Sequence, residues 1–223
     1  MANTTGASEL MSAAVVAGGQ SSRMGTDKAL LRLSPDRPPL LQVVLDRIDA
    51  VASERFIVAS DRPQYERFLV PVVPDRYPRA GTLGGIATAL ATATTDRCLV
   101  VGCDMPFLNI DLLQWMTQQG QGADIVIPVV PGESRQGSGM IYQTLHAIYR
   151  RTCLPAIERQ LAASERQVIR FFSEVQVHPI DVAQIQRFDP DLRTFFNANT
   201  PAALERAQQM SAADTVRDSV QPP

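Results

Sequence analysis

The chain has 223 residues, a formal net charge of −2 and 45% hydrophobic residues. That length suits one domain with a sizeable core, and the near-neutral balance argues against a broad nucleic-acid surface. Of the 21 Lys and Arg residues only Lys28 is lysine, so a role that needs a compact, movable charge rather than a planar fork falls on that position. Cys98, Cys103 and Cys153 form no C-x-x-C pair, and His146 and His178 lie far apart, so neither a disulfide framework nor a zinc motif is indicated. No apolar run approaches the ~18 residues of a membrane helix. No basic residue precedes Arg23, so a secretory leader is not expected; a reducing cytoplasm fits, with no membrane partner.

In chain order, residues 12–17 (SAAVVA) read as a short buried strand followed by a Gly-rich turn. Residues 39–51 carry apolar side chains at helical spacing, with Pro near the start. Strands are expected at 55–60 and 70–73, and a helix of small residues at 83–93. The run CLVVGC (98–103) is a continuous apolar strand. Asn109 can cap a helix ending near Gln118. Strands follow at 123–128 and 139–143, then helical stretches at 153–162 and 165–172; His146 is assigned to helical surroundings. Strands at 174–178 and 194–197 and a helix at 201–210 complete the pattern. Trp115 and the cysteines read as core.

Strands alternating with helices imply an α/β fold, a Rossmann-like three-layer αβα sandwich with a mostly parallel central sheet. Residues 1–210 read as one domain, and the polar stretch 211–223, ending in Pro-Pro, as a flexible tail. Such folds bind ligands at the carboxyl ends of their strands.

The loop after the first strand is GGQSSRMGTDK, residues 18–28. Gly18 and Gly19 permit close backbone approach, successive N–H groups can line an anion-binding concavity, and Arg23 and Lys28 add charge. The combination suits a polyphosphate, yet neither G-x-x-x-x-G-K-[ST] nor G-x-G-x-x-G is present. An ordinary strand–helix turn with solvated cations is the plain alternative. Asp104, directly after CLVVGC, is placed for Mg²⁺ or for capping the turn that follows. Asp75, after the 70–73 strand, reads as a turn residue, and Asp27 as a residue that orients Lys28. Asn199 or Thr200 can cap the helix opened by Pro201, which leaves Asn197 unaccounted for.

The segment VAGGQSSRMGTDK resembles the signature of the molybdenum cofactor guanylyltransferase family, L-A-G-G-x-S-x-R-M-G-x-D-K, with Val16 in place of Leu. The GCDMP segment resembles that family's metal-binding motif. GTLGG (81–85) is similar to its G-P-L-G-G, with Thr82 replacing Pro, and FFNANTPAAL (195–204) to its F-x-N-x-N-T-P-x-x-L. The likeness spans residues 13–204 in islands. It implies a nucleotide site of Val16, Ala17, Gly18, Gly19, Lys28, Asp75, Gly84, Gly85 and Asp104. Arg23, Lys28 and Asp104 would be catalytic, Asp104 the Mg²⁺ ligand, and Asn197 and Asn199 the acceptor side. For Gly84 and Gly85 a plain helix–sheet contact is equally open. The implied reaction moves GMP from GTP to the terminal phosphate of a molybdopterin-type molybdenum cofactor, with molybdoenzymes or their chaperones as further partners. Transfer from CTP, transfer to another phosphate acceptor, and a silent nucleotide-binding module are the alternatives. The family's P-L-x-A-x-Y stretch is replaced here by RQGSGMIY (135–142), which weakens the implication for the acceptor.

Overall fold

The computed structural model describes residues 11–18, 27–134 and 137–220, the last six of these as backbone only. An eight-stranded mixed sheet forms the middle layer. Its strands are β1 (Ser12–Val16), β2 (Glu54–Val58), β3 (Val72–Val73), β4 (Arg97–Gly102), β5 (Ile125–Ser134), β6 (Gly137–Tyr142), β7 (His146–Arg150) and β8 (Val177–Ile180). The order across the sheet is β3-β2-β1-β4-β7-β5-β6, with β8 pairing β5. β1 runs parallel to both β2 and β4, and β8 parallel to β5, while β7 enters antiparallel between β4 and β5.

Alternation along the central strands feeds two cores. Ala13, Val15, Leu99, Val101 and Ile148 face one side; there they meet α1 (Leu40–Asp49) and α3 (Ile110–Thr117), which contribute Leu41, Leu45, Leu112 and Met116. Ala14, Val16, Cys98, Val100 and Tyr149 face the other, against α2 (Thr82–Thr92) and α4 (Leu154–Ala162). β1 and β4 are buried along their whole length, as strands covered on both faces must be. The αβα sandwich expected from the sequence is the fold observed. Each 25 cal/mol per Å² of apolar burial, summed over layers this continuous, is the main term opposing chain entropy.

Local signals explain the element boundaries. Asn109 accepts the Leu112 N–H at 2.8 Å and opens α3 as expected of a cap. Gly81, at φ 65° and ψ −144°, turns the chain into α2 through a region closed to other residues. α5 (Val182–Ile185) carries a capping box on Asp181 and Gln184.

Three expectations are corrected. His146 begins β7, a buried strand, rather than lying in helical surroundings. The 194–197 strand is instead a 3-10 turn, Arg193–Phe195, followed by extended chain without a strand partner. The expected domain edge at 210 falls inside α6 (Pro201–Val220), so residues 211–220 are helical rather than tail. No proline or glycine interrupts α6 after Pro201, and Arg193 grips Asp214 through two hydrogen bonds of 2.8 and 2.6 Å. Among the described residues no helix is long and apolar enough to cross a membrane.

Candidate active site at the carboxyl ends of β1 and β4

The chain leaves β1 toward β2 on one side and returns through β4 on the other, so these two neighbouring strands form the switch point of the parallel half of the sheet. Their register pairs Val16 with Gly102, which brings the residues that follow each strand to one level. A cleft of about 160 Å³ opens there. Val16, Ala17 and Gly18 line it from β1, Lys28 from the 3-10 turn Lys28–Leu30, and Cys103 and Asp104 from the exit of β4. Five of the residues implied by the family signature are therefore brought to one place. Gly19 and Arg23 lie outside the described residues.

The cleft has opposed charges. Burial pushes the Asp104 carboxyl above the ordinary carboxylate range, while its own backbone N–H and the nearby Lys28 pull it back. A half-buried carboxylate of this kind is improved by a cation and by hydrogen-bond donors. Gly102 makes room for it, since a Cβ there would stand 2.9 Å from Asp104 Oδ1. Thr82, the first residue of α2, also lines the cleft and brings the positive end of that helix to it. Cys103 borders the cleft, but burial and the neighbouring Asp104 raise its thiol well above the ordinary range, so it is a neutral wall.

Asp27 lines the same cleft, yet both its oxygens are engaged by Ala29, Tyr65, Gln64 and Arg62. It is unsuited to a metal. Among the described residues no cluster of three or more His, Cys, Asp or Glu could hold one. The donor set is one carboxylate, Asp104. That fits Mg²⁺, which usually takes one or two carboxylates and completes its shell with substrate phosphates and water.

Other sequence-derived candidates lie elsewhere. Asp75 Oδ1 accepts from Tyr77 N–H at 2.9 Å and from the Thr88 hydroxyl at 3.0 Å, the contacts of a turn residue between β3 and α2. Gly84 and Gly85 are buried beneath the cleft, not on its surface. A Cβ on Gly85 would meet Val16 Cγ1 at 2.7 Å, and one on Gly84 would meet Tyr77 O at 2.8 Å. Gly85 thus makes a helix–sheet contact with Val16, whereas Gly84 packs on the turn at Tyr77 and Ala80.

Asn197 lines a separate cavity of about 650 Å³, bounded by Val130, Gln143, Phe195, Met210 and Asp214. Its amide donates to Phe195 O at 3.0 Å. Asn199 is exposed, and the α6 cap is Thr200, whose hydroxyl accepts from Ala203 N–H at 3.1 Å. One bond joins the two regions: Ala198 N–H donates to Asp104 O at 2.8 Å. The 197–199 segment is thus tied directly to a residue that lines the β1/β4 cleft. Sequence reading missed Thr82, Gly102 and Leu145 as cleft residues. Gly102 and Thr82 carried a signal, namely their places at a strand's end and a helix's start; Leu145 carried none, since it arrives from the turn before β7.

A three-layer αβα sandwich with a cation and a carboxylate in one cleft at the switch point of its sheet has the architecture of an α/β protein that binds an anionic ligand at its strand ends. The chain belongs to the MobA-like NTP transferase domain family, which it matches over residues 13–179. It is 35% identical over 197 residues to the "Probable molybdenum cofactor guanylyltransferase" of Pelotomaculum thermopropionicum, covering 88% of this chain and 91% of that one. It is 33% identical over 196 residues to the molybdenum cofactor guanylyltransferase of Syntrophotalea carbinolica, covering 87% and 89%. The crystal structure of molybdopterin-guanine dinucleotide biosynthesis protein A from Archaeoglobus fulgidus superposes with a TM-score of 0.76 at 26% identity, covering 91% of this chain and 100% of that one.

Proposed function

We propose that this protein transfers GMP from GTP to the terminal phosphate of a molybdopterin-type molybdenum cofactor and releases pyrophosphate. The observation that carries the reading is Lys28 and Asp104 lining one cleft at the β1/β4 switch point; relatives named for this activity span nearly the whole chain. A phosphate oxygen of the acceptor attacks the α-phosphorus of GTP, a P–O bond forms, and the bond to the β-phosphate breaks. No covalent enzyme intermediate is needed, so catalysis consists of positioning and charge neutralisation.

In this reading the N–H groups after β1, at Gly18 and Gly19, cradle the phosphates, and Lys28 follows the charge as it gathers on the leaving pyrophosphate. Arg23 adds a second cation on the α-phosphate. Asp104 would hold Mg²⁺, which when bound would offset phosphate charge. The bond from Ala198 N–H to Asp104 O keeps the Asn197 side in register with that carboxylate. Asn197 borders the cavity for the acceptor. The free cysteines Cys98, Cys103 and Cys153 suit a reducing cytoplasm, and molybdoenzymes or their chaperones would receive the product.

The test is pyrophosphate release with molybdenum cofactor and Mg²⁺, using GTP in competition with CTP, ATP and UTP. GTP is the expected donor, and the variants Lys28→Ala and Asp104→Ala are expected to lose transfer while keeping the wild-type melting profile. A fully active Lys28→Ala enzyme, or a preference for CTP, refutes the reading.

A further inference from the structure

Asp27 sits one residue before Lys28 and is held from four directions. Its Oδ1 accepts from the Ala29 N–H at 3.2 Å and the Tyr65 hydroxyl at 2.7 Å. Its Oδ2 accepts from Gln64 Nε2 at 2.9 Å, with Arg62 Nε at 3.7 Å. Three hydrogen bonds and one ion pair thus engage both carboxylate oxygens. Through the bond to Ala29, Asp27 caps the single 3-10 turn that begins at Lys28.

The three gripping side chains come from one place, in and beside the 3-10 segment Pro63–Phe68 between β2 and β3. Tyr65 is 1% exposed, and its ring packs edge-on to Phe68, so its hydroxyl has a fixed position. Burial and the bond to Asp27 keep that hydroxyl protonated and hence always a donor. The segment is also strained. Asp61 and Leu69, at its two ends, take φ 53° and 55°. Leu69 is 93% exposed, so no packing of its side chain compensates that conformation.

We propose that Tyr65, assisted by Gln64 and Arg62, is a positioning residue for Lys28: it anchors Asp27, and through the capped turn fixes the point from which the lysine stem reaches into the cleft. The inference rests on the reading of Lys28 as the phosphate-binding cation. A lysine stem has four rotatable carbons, and its ammonium is useful only where its root is held. Tyr65 touches neither nucleotide nor reacting atoms in this scheme; it acts through Asp27.

The experiment titrates GTP with Mg²⁺ against wild type, Tyr65→Phe, Lys28→Ala, the Tyr65→Phe/Lys28→Ala double variant and the surface double variant Arg62→Ala/Gln64→Ala. GTP affinity, kcat/KM for pyrophosphate release and Tm are measured for each. Losing one hydrogen bond to a carboxylate is expected to weaken GTP about tenfold in Tyr65→Phe. In the Lys28→Ala background the same change is expected to have no further effect. Arg62→Ala/Gln64→Ala, which leaves the core untouched, is expected to shift affinity in the same direction and keeps the test open if Tyr65→Phe fails to fold. A loss of Tm with GTP affinity intact, or an equal weakening with and without Lys28, overturns the proposal. If Lys28→Ala itself binds and turns over GTP normally, the reading of the cleft fails first; if Lys28→Ala is impaired and none of the anchoring variants is, only the role of Tyr65 fails.

Discussion

Lys28 illustrates how much one side chain can be asked to do in this fold. It is the single lysine of the chain and lines the cleft beside Asp104. Lys28→Arg keeps the charge but substitutes a planar fork for a compact ammonium. It is expected to cost transfer activity nearly as much as Lys28→Ala, whereas near-normal turnover would mean that charge alone suffices. His146 makes a different kind of demand. It is fully buried, its ring tilted against Phe195 with centroids 4.9 Å apart, and neither ring nitrogen has a hydrogen-bond partner among the described residues. Burial pushes its pKa down from 6.5 to about 3. The neutral ring is therefore favoured in the fold, and the stability tied to it is intact above pH 6.5. That stability falls by about 1.4 kcal/mol per pH unit toward pH 3, then levels off. Melting curves from pH 8 to pH 4 should show His146→Leu losing distinctly less than wild type below pH 6.5; parallel losses would rule out this histidine as the cause.

At the scale of elements, α2 meets β1 with no space to spare. The short distance from Gly85 to Val16 lets the helix start lie close to the cleft. Gly85→Ala is expected to destabilise by about 1–3 kcal/mol through overpacking, less up to about 1 kcal/mol of improved helix propensity. For a chain of this size each kcal/mol lowers Tm by about 2–4 °C. Because Val16 also lines the cleft, GTP affinity should fall in the same variant. Val16→Ala combined with Gly85→Ala should restore Tm, and failure to do so would mean that the strain lies elsewhere. The glycines of GTLGG could be seen in the sequence; that Gly84 and Gly85 are packed, while Thr82 lines the cleft, could not, because helix rotation is set by what lies beneath. The same holds for β7. Its HAIYR sequence begins with a polar residue and has no clear period. Only the gap between β4 and β5 makes it a strand, with its backbone groups paired on both sides.

Over the whole molecule, α6 walls the cavity that Asn197 lines. Met210 and Asp214 share a cavity with Asn197, and Asp214 pairs with Arg193 at 2.6 Å. The pair is partly exposed, with Asp214 at 41%, so it contributes at most about 1 kcal/mol. Loss of that pair alone is expected to lower Tm by about 2–4 °C, and ending the chain at Met210 is expected to leave GTP affinity unchanged while the KM for the acceptor rises. A loss of GTP binding in that variant would show that α6 supports the nucleotide cleft as well.

Much of this architecture can be read along the chain. Alternating apolar runs and helical spacings determine the αβα layers, because burial on both faces of a parallel strand leaves a continuous apolar stretch such as CLVVGC. The GGQSSRMGTDK and GCDMP segments determine which residues carry charge to the strand ends. The tertiary structure decided the remainder. It turned Asp27 away from any metal by saturating its oxygens with Tyr65, Gln64 and Arg62, which lie more than thirty residues away. It gave Asp75 to a turn, Gly84 and Gly85 to packing, and Asn197 but not Asn199 to the wall of a cavity. Spacing along a chain specifies period and local capping, whereas the partners that occupy a buried polar atom are set by strand order and register, which no local segment contains.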